Sequence, residues 1–148
     1  MLNRKISKLI LVMLLLTMVL KGCEKKKDVT LTIKELDKIT FNFDSNKTYD
    51  FYMVNDSDDL EITKASVKVE LIDKEEPAVV DYRYKLAKDE TVAPHSEEML
   101  DIWLDTGEMK NFDEYNLQDR SYTVVKDGCT FFVRINLKDE VTITKKEE

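Results

Sequence analysis

The sequence predicts an all-β domain, an antiparallel β-sandwich, and three observations carry that expectation. Apolar residues recur with period two in nearly every segment after residue 28, the spacing that puts alternate side chains on one face of a strand. Turn-forming stretches separate the segments: Asp44-Ser45-Asn46, residues 55–59, residues 73–77, Lys126-Asp127-Gly128 and Lys138-Asp139-Glu140. No segment carries a long amphipathic helical period. A closed barrel satisfies the same pattern; two antiparallel sheets packed face to face are the reading taken here.

The elements follow in order. Val29, Leu31 and Ile33 alternate with threonines as a first strand, and Ile39, Phe41 and Phe43 form a second. Tyr49, Phe51 and Met53 come next, then Val67, Val69 and Leu71, then Val80, Tyr82, Tyr84 and Leu86. Leu100, Ile102 and Leu104 follow Pro94. Tyr122 and Val124, then Phe131, Val133, Ile135 and Leu137, then Val141 and Ile143 complete about nine candidate strands. Asp127-Gly128 between two apolar runs is a hairpin signal, because a two-residue hairpin turn wants positive φ. Residues 106–120 do not alternate clearly, and the expectation there is a long loop with one helical turn around 109–115.

The amino terminus has a different character. Arg4, Lys5 and Lys8 precede twelve uncharged residues, 9–20, and then Lys21-Gly22-Cys23. Charge, apolar run and small residue in that order are the layout of a secretory signal. The run is shorter than the roughly 20 residues that cross ~30 Å of hydrocarbon. Leu20-Lys21-Gly22-Cys23 resembles the bacterial lipobox, with Lys21 departing from a position that is usually small or uncharged. The resemblance implies cleavage after Gly22 and a diacylglyceryl group on the Cys23 thiol. Two acyl chains hold a protein at a membrane where one does not, and Lys25, Lys26 and Lys27 add attraction to an anionic leaflet. The expected organisation is a signal peptide over residues 1–22, a lipidated Cys23 with a short tether to residue 28, and one sandwich domain over 29–148. The expected location is the outer face of the cell membrane. Abundant Lys, Asp, Glu and Ile with scarce Gly and Pro fit a Gram-positive source.

Composition bounds the function. The chain has 23 basic and 30 acidic residues; removing residues 1–22 takes away four bases and no acid, leaving a formal charge of −11. Such a surface repels nucleic acid, and no basic stripe follows Lys27 in the sequence. With Cys23 lipidated, Cys129 has no intramolecular partner and reads as a buried free thiol.

The stretch Val92-Ala93-Pro94-His95-Ser96 leading into the strand at 99–104 resembles the x-Pro-Gly-x turn of small bacterial immunoglobulin-like envelope domains of the FxLyD type. The strand at 51–54, the Asn55-Asp56-Ser57 break and the strand at 67–72 fit the same scheme, so the resemblance spans roughly residues 49–104. His95 stands where those domains usually have Gly. The resemblance implies an immunoglobulin-like sandwich, and a fold does not fix a function.

Catalytic chemistry is poorly served. His95 is the sole histidine and has no Cys or second His beside it for a zinc site. The carboxylates Asp56, Asp58, Asp59 and Glu61 are dense but lack the glycine of a calcium loop. Gly107 and Gly128 cannot build a phosphate-cradling loop, and there is no Gly-x-Ser-x-Gly elbow. No cofactor, no metal and no enzymatic activity are expected. Tyr52, Trp103 and Phe132 fall on strand faces opposite the apolar sets and form the candidate binding patch. The expected role is a non-enzymatic interaction module that contacts another envelope protein. The alternative is capture of a small ligand, cation or peptide, in a pocket lined by Tyr82, Tyr84 or Trp103.

Overall fold

The structure, a computed structural model, describes residues 28–44, 50–72, 79–102 and 114–147. The signal segment, Gly22, Cys23 and the lysines at 25–27 lie outside the described residues, as do Trp103 and the first part of the 106–120 segment.

The expected first strand is not one. Val29 and Leu31 are buried, in keeping with their alternation, but the chain then enters a single helical turn, α1 (Ile33–Leu36). Thr32 and Glu35 explain the change. The Glu35 carboxylate accepts from the Thr32 backbone N–H at 2.8 Å and from its hydroxyl at 2.9 Å, one half of a capping box. Ile33 is left facing solvent.

Nine strands follow among the described residues: β1 (Ile39–Asp44), β2 (Asp50–Asn55), β3 (Glu61–Ile72), β4 (Val79–Lys85), β5 (Thr91–Val92), β6 (Ser96–Ile102), β7 (Glu114–Lys126), β8 (Cys129–Ile135) and β9 (Val141–Lys145). Every pairing is antiparallel, in the order β1-β2-β6-β4-β3-β7-β8-β9, with β5 also on β3. The all-β, sandwich-like expectation holds. β6 is the corner: residues 96–100 pair with β2, while Asp101 and Ile102 pair with β4. The sheet thus folds over itself, and β1 and β2 lie across the layer formed by β4, β3, β7, β8 and β9.

Alternation fills the space between the layers. Phe51, Met53, Val67, Val69, Leu71, Tyr82, Tyr84, Tyr122, Val124 and Val133 are almost wholly buried. Phe51 packs on Tyr84 with ring centroids 4.8 Å apart, and Phe43 meets Tyr115 edge-on at 5.0 Å. Such pairs add about 1 kcal/mol each beyond the area they bury.

β7 corrects a second expectation. Residues 114–120, read as loop, are strand. Leu117 faces Val69 and Arg120 faces Val67, so two residues of β7 oppose one of β3 in a β-bulge. The bulge shifts the alternation: Tyr115 and Leu117 keep one phase, Tyr122 and Val124 the other. A second irregularity lies between Thr63 and Ser66, where Lys64 takes φ +53 and β3 exchanges β5 for β4 as its neighbour. The Asp127-Gly128 turn is where it was expected, with φ +48 and +76, both left-handed as a tight hairpin requires.

Two polar devices lock one end of the sheet. Asn55, fully buried, donates to Leu60 O at 2.7 Å and Val92 O at 3.0 Å, and accepts from the Ser57 N–H and hydroxyl. That ties β2, the 56–60 loop and β5 together. At the same end, Lys126 donates to Thr30 O at 2.9 Å and to the Glu35 carboxylate, and Lys145 donates to Val29 O at 3.2 Å. The segment before β1 is therefore clamped to β7 and β9.

Candidate functional site

In an antiparallel sheet, directly paired residues share a face. On the outer face of the β4-β3-β7-β8 layer the register sets Lys85, Ser66, Ser121 and Arg134 side by side in one row. The next row holds Thr63, Thr123 and Phe132. On the other side, Lys68 pairs with Arg83.

Side-chain length turns this face into a groove. Ser66 and Ser121 are short and face each other, while Lys68, Arg83, Arg134 and Phe132 stand around them, enclosing a hollow of about 350 Å³. A second hollow of about 670 Å³ opens beside it and shares Ser66 and Arg83. Lys64, Lys85 and Lys88 line that part with Asp101. Lys64 reaches it from the β3 bulge.

The electrostatics run against the rest of the molecule. Six cations from β3, β4, β8 and the β4–β5 connection meet three acids: Asp101, Asp119 and Asp81. Asp81 lies 3.1 Å from Lys68, and Asp119 lies 3.7 Å from Arg134. Arg83 has no ion pair among the described residues. Arg120 also borders the hollow, but it sits on the inward alternation and its guanidinium is bound to Asp139. Beyond Lys68 the face turns acidic, with Glu70 paired to Asp81 in register and accepting from Gln118 at 3.2 Å. So on this face, among the described residues, positive charge gathers at the groove, where the sequence had shown no basic stripe. The stripe runs across strands, and only the register assembles it.

The expected patch residues separate. Phe132 is 39% exposed at the groove, on the outer face of the larger layer. Tyr52 is half-buried on β2, on the outer face of the opposite layer beside Asn42 and Met99. The structure does not bring these two together, and Trp103 lies outside the described residues. Tyr82 and Tyr84, expected to line a pocket, are core residues instead. Burial, with smaller contributions from Tyr82 and Asp50, pushes the Tyr84 hydroxyl up to about 12.

His95 sits in the turn before β6 at φ +55 and is exposed. Its Nε2 is 2.8 Å from Asp58, and Lys38 lies 3.6 Å from the same carboxylate. The His95 hydrogen bond, then the Lys38 charge, hold Asp58 below its ordinary value. The neighbouring Ser96 hydroxyl donates to Ala93 O at 2.7 Å. No group of three or more metal-ligating side chains comes together among the described residues. Cys129 is half-buried at the start of β8 and carries no disulfide.

The chain matches no protein-family model, no curated protein and no solved structure.

Proposed function

We propose that this chain is a lipid-anchored binding module on the outer face of the cell membrane of a Gram-positive bacterium, engaging an envelope partner rather than transforming a substrate. The observation that carries the binding role is the groove: an open, cation-rimmed hollow with an exposed aromatic ring, on the face of a sheet whose other face is the core. The anchor is supported by the lipobox-like Leu20-Lys21-Gly22-Cys23 and the apolar run before it. The clamp on residues 28–35 supports it too. Between Cys23 and Asp28 the chain reaches at most about 18 Å, so a lipidated Cys23 holds the folded domain close to the bilayer. A second reading, capture of a small anion, is favoured by the size of the hollow, which lies in the range of about 300–1,000 Å³ typical of ligand pockets. The local positive balance argues against a cation.

Fractionation of producing cells, with the mass of the purified chain, tests the anchor. The native chain should sediment with membranes and begin at a diacylated Cys23, and Cys23→Ala should not be acylated and should leave the membrane fraction. A Cys23→Ala chain that stays membrane-bound, or a native chain retaining residues 1–22, contradicts it.

A further inference from the structure

We infer that the groove takes an acidic segment of a partner protein, one that carries an apolar side chain among its carboxylates; this deepens the binding role proposed above and rests on it. Three features of the face specify that occupant. The first is charge. Arg83 has no ion pair among the described residues, and Lys64 and Lys88 are exposed on the rim of the second hollow. A guanidinium presents a fork of donors that matches a carboxylate in two parallel hydrogen bonds, which are shorter and stronger than neutral ones.

The second is the spacing of the cations. Arg83 and Lys68 are direct cross-strand partners, whereas Arg134 lies on β8, beyond β7 from Lys68. Adjacent strands are about 4.8 Å apart, so Arg134 stands two strand spacings, roughly 10 Å, to the side. An extended segment with several carboxylates spans that separation and gives each cation its own acid.

The third is the apolar component. Phe132, 39% exposed, and Ile102, 40% exposed, border the two hollows. A polymer bearing only phosphates leaves both in water. A peptide with acidic and apolar side chains satisfies both kinds of contact, with the Ser66 and Ser121 hydroxyls offering further donors at the floor. The middle strands of the layer have no free backbone edge, so recognition here runs through side chains and not through strand addition.

The test uses the mature chain and a fluorescently labelled peptide of mixed Glu and Leu, followed by anisotropy across a salt series. Binding should weaken with salt. The double variant Arg83→Glu/Arg134→Glu should lose about tenfold or more in affinity, as expected for charge contacts reversed at a binding face. Phe132→Ala should lose severalfold, and a peptide of Glu alone should bind more weakly than the mixed one. Unchanged thermal melts show that the variants fold. Equal binding by native and double-variant chains overturns the inference. So does preference for polyphosphate over the mixed peptide, which would make the occupant a phosphate polymer, or a concentration-dependent doubling of mass by light scattering that blocks the peptide, which would make it a second copy. Failure here is distinct from failure of the binding role. If crosslinking in intact cells joins native and double-variant chains to the same envelope protein equally, the module stands and only the groove assignment falls.

Discussion

At the scale of single residues, buried polar groups divide into those that find partners and those that do not. Asn55 uses both amide hydrogens and its carbonyl oxygen inside the fold. Asn55→Ala removes the amide donors to two buried carbonyls and the acceptor of the Ser57 N–H, while the Ser57 hydroxyl keeps Leu60 as a partner, and groups of this kind cost about 1–3 kcal/mol each when unpaired. Loop adjustment will recover part of that, so the expected loss is about 3 kcal/mol, read by denaturant unfolding. Tyr84 is the opposite case. Its hydroxyl is buried with no hydrogen-bond partner among the described residues. Tyr84→Phe should leave stability unchanged or raise it by up to about 1 kcal/mol. Alkali gives a second readout. Tyr84 titrates near 12 when folded and near 10 when unfolded, so its contribution is fully present below pH 10 and is lost as pH rises through about 12. Tyr84→Phe should be less sensitive to alkali over that window. Sequence gave notice of neither role. Asn55-Asp56-Ser57 has the composition of a surface break, and only the return of β5 beside it buries the amide. Tyr84 keeps perfect alternation, which predicts its burial but not the absence of a partner for its oxygen.

At the scale of elements, period two was the strongest signal, and its failures have physical causes. It placed β1, β2 and β4 and the hairpin turn between β7 and β8, because those strands alternate without interruption. It missed the first half of β7, where the bulge opposite Val67–Val69 reverses the phase between Leu117 and Tyr122. The out-of-phase pairs Tyr115/Leu117 and Tyr122/Val124 were the available sign. It mistook α1 for a strand because Val29 and Leu31 do alternate, while Thr32-x-x-Glu35 is a helix-start pattern of the same length. The groove was legible only in part: Phe132 was singled out, but Lys68, Arg83 and Arg134 are far apart in sequence and meet through register alone. The clamp on α1 makes its own prediction. Lys126 and Glu35 are both largely shielded from solvent, and Lys126→Met should cost about 1–2 kcal/mol at neutral pH. The hydrogen bond from Lys126, then that from the Thr32 backbone, hold Glu35 below its ordinary value of 4.5. Its contribution is therefore fully present above pH 4.5 and is lost as pH falls through the lowered folded value. Thermal melts of the native and Lys126→Met chains should differ most at neutral pH and converge in acid, leaving only the difference due to the Thr30 contact.

At the scale of the whole molecule, an acidic chain carries a positive groove among its described residues, and the segment before β1 is fixed to the end of the β7–β8–β9 layer. The excess of acid elsewhere keeps the domain soluble and discourages association with acidic surfaces outside the groove. That contrast makes Phe132 and Tyr52, on opposite outer faces, an internal comparison. The most direct measurement places a photo-crosslinking side chain at Phe132 or at Tyr52 of the full chain in intact cells. The account predicts that the membrane-bound chain forms one dominant adduct from position 132, none from position 52, and loses the adduct with Arg83→Glu/Arg134→Glu. Equal adducts from both faces, or an adduct from position 52 alone, would contradict it.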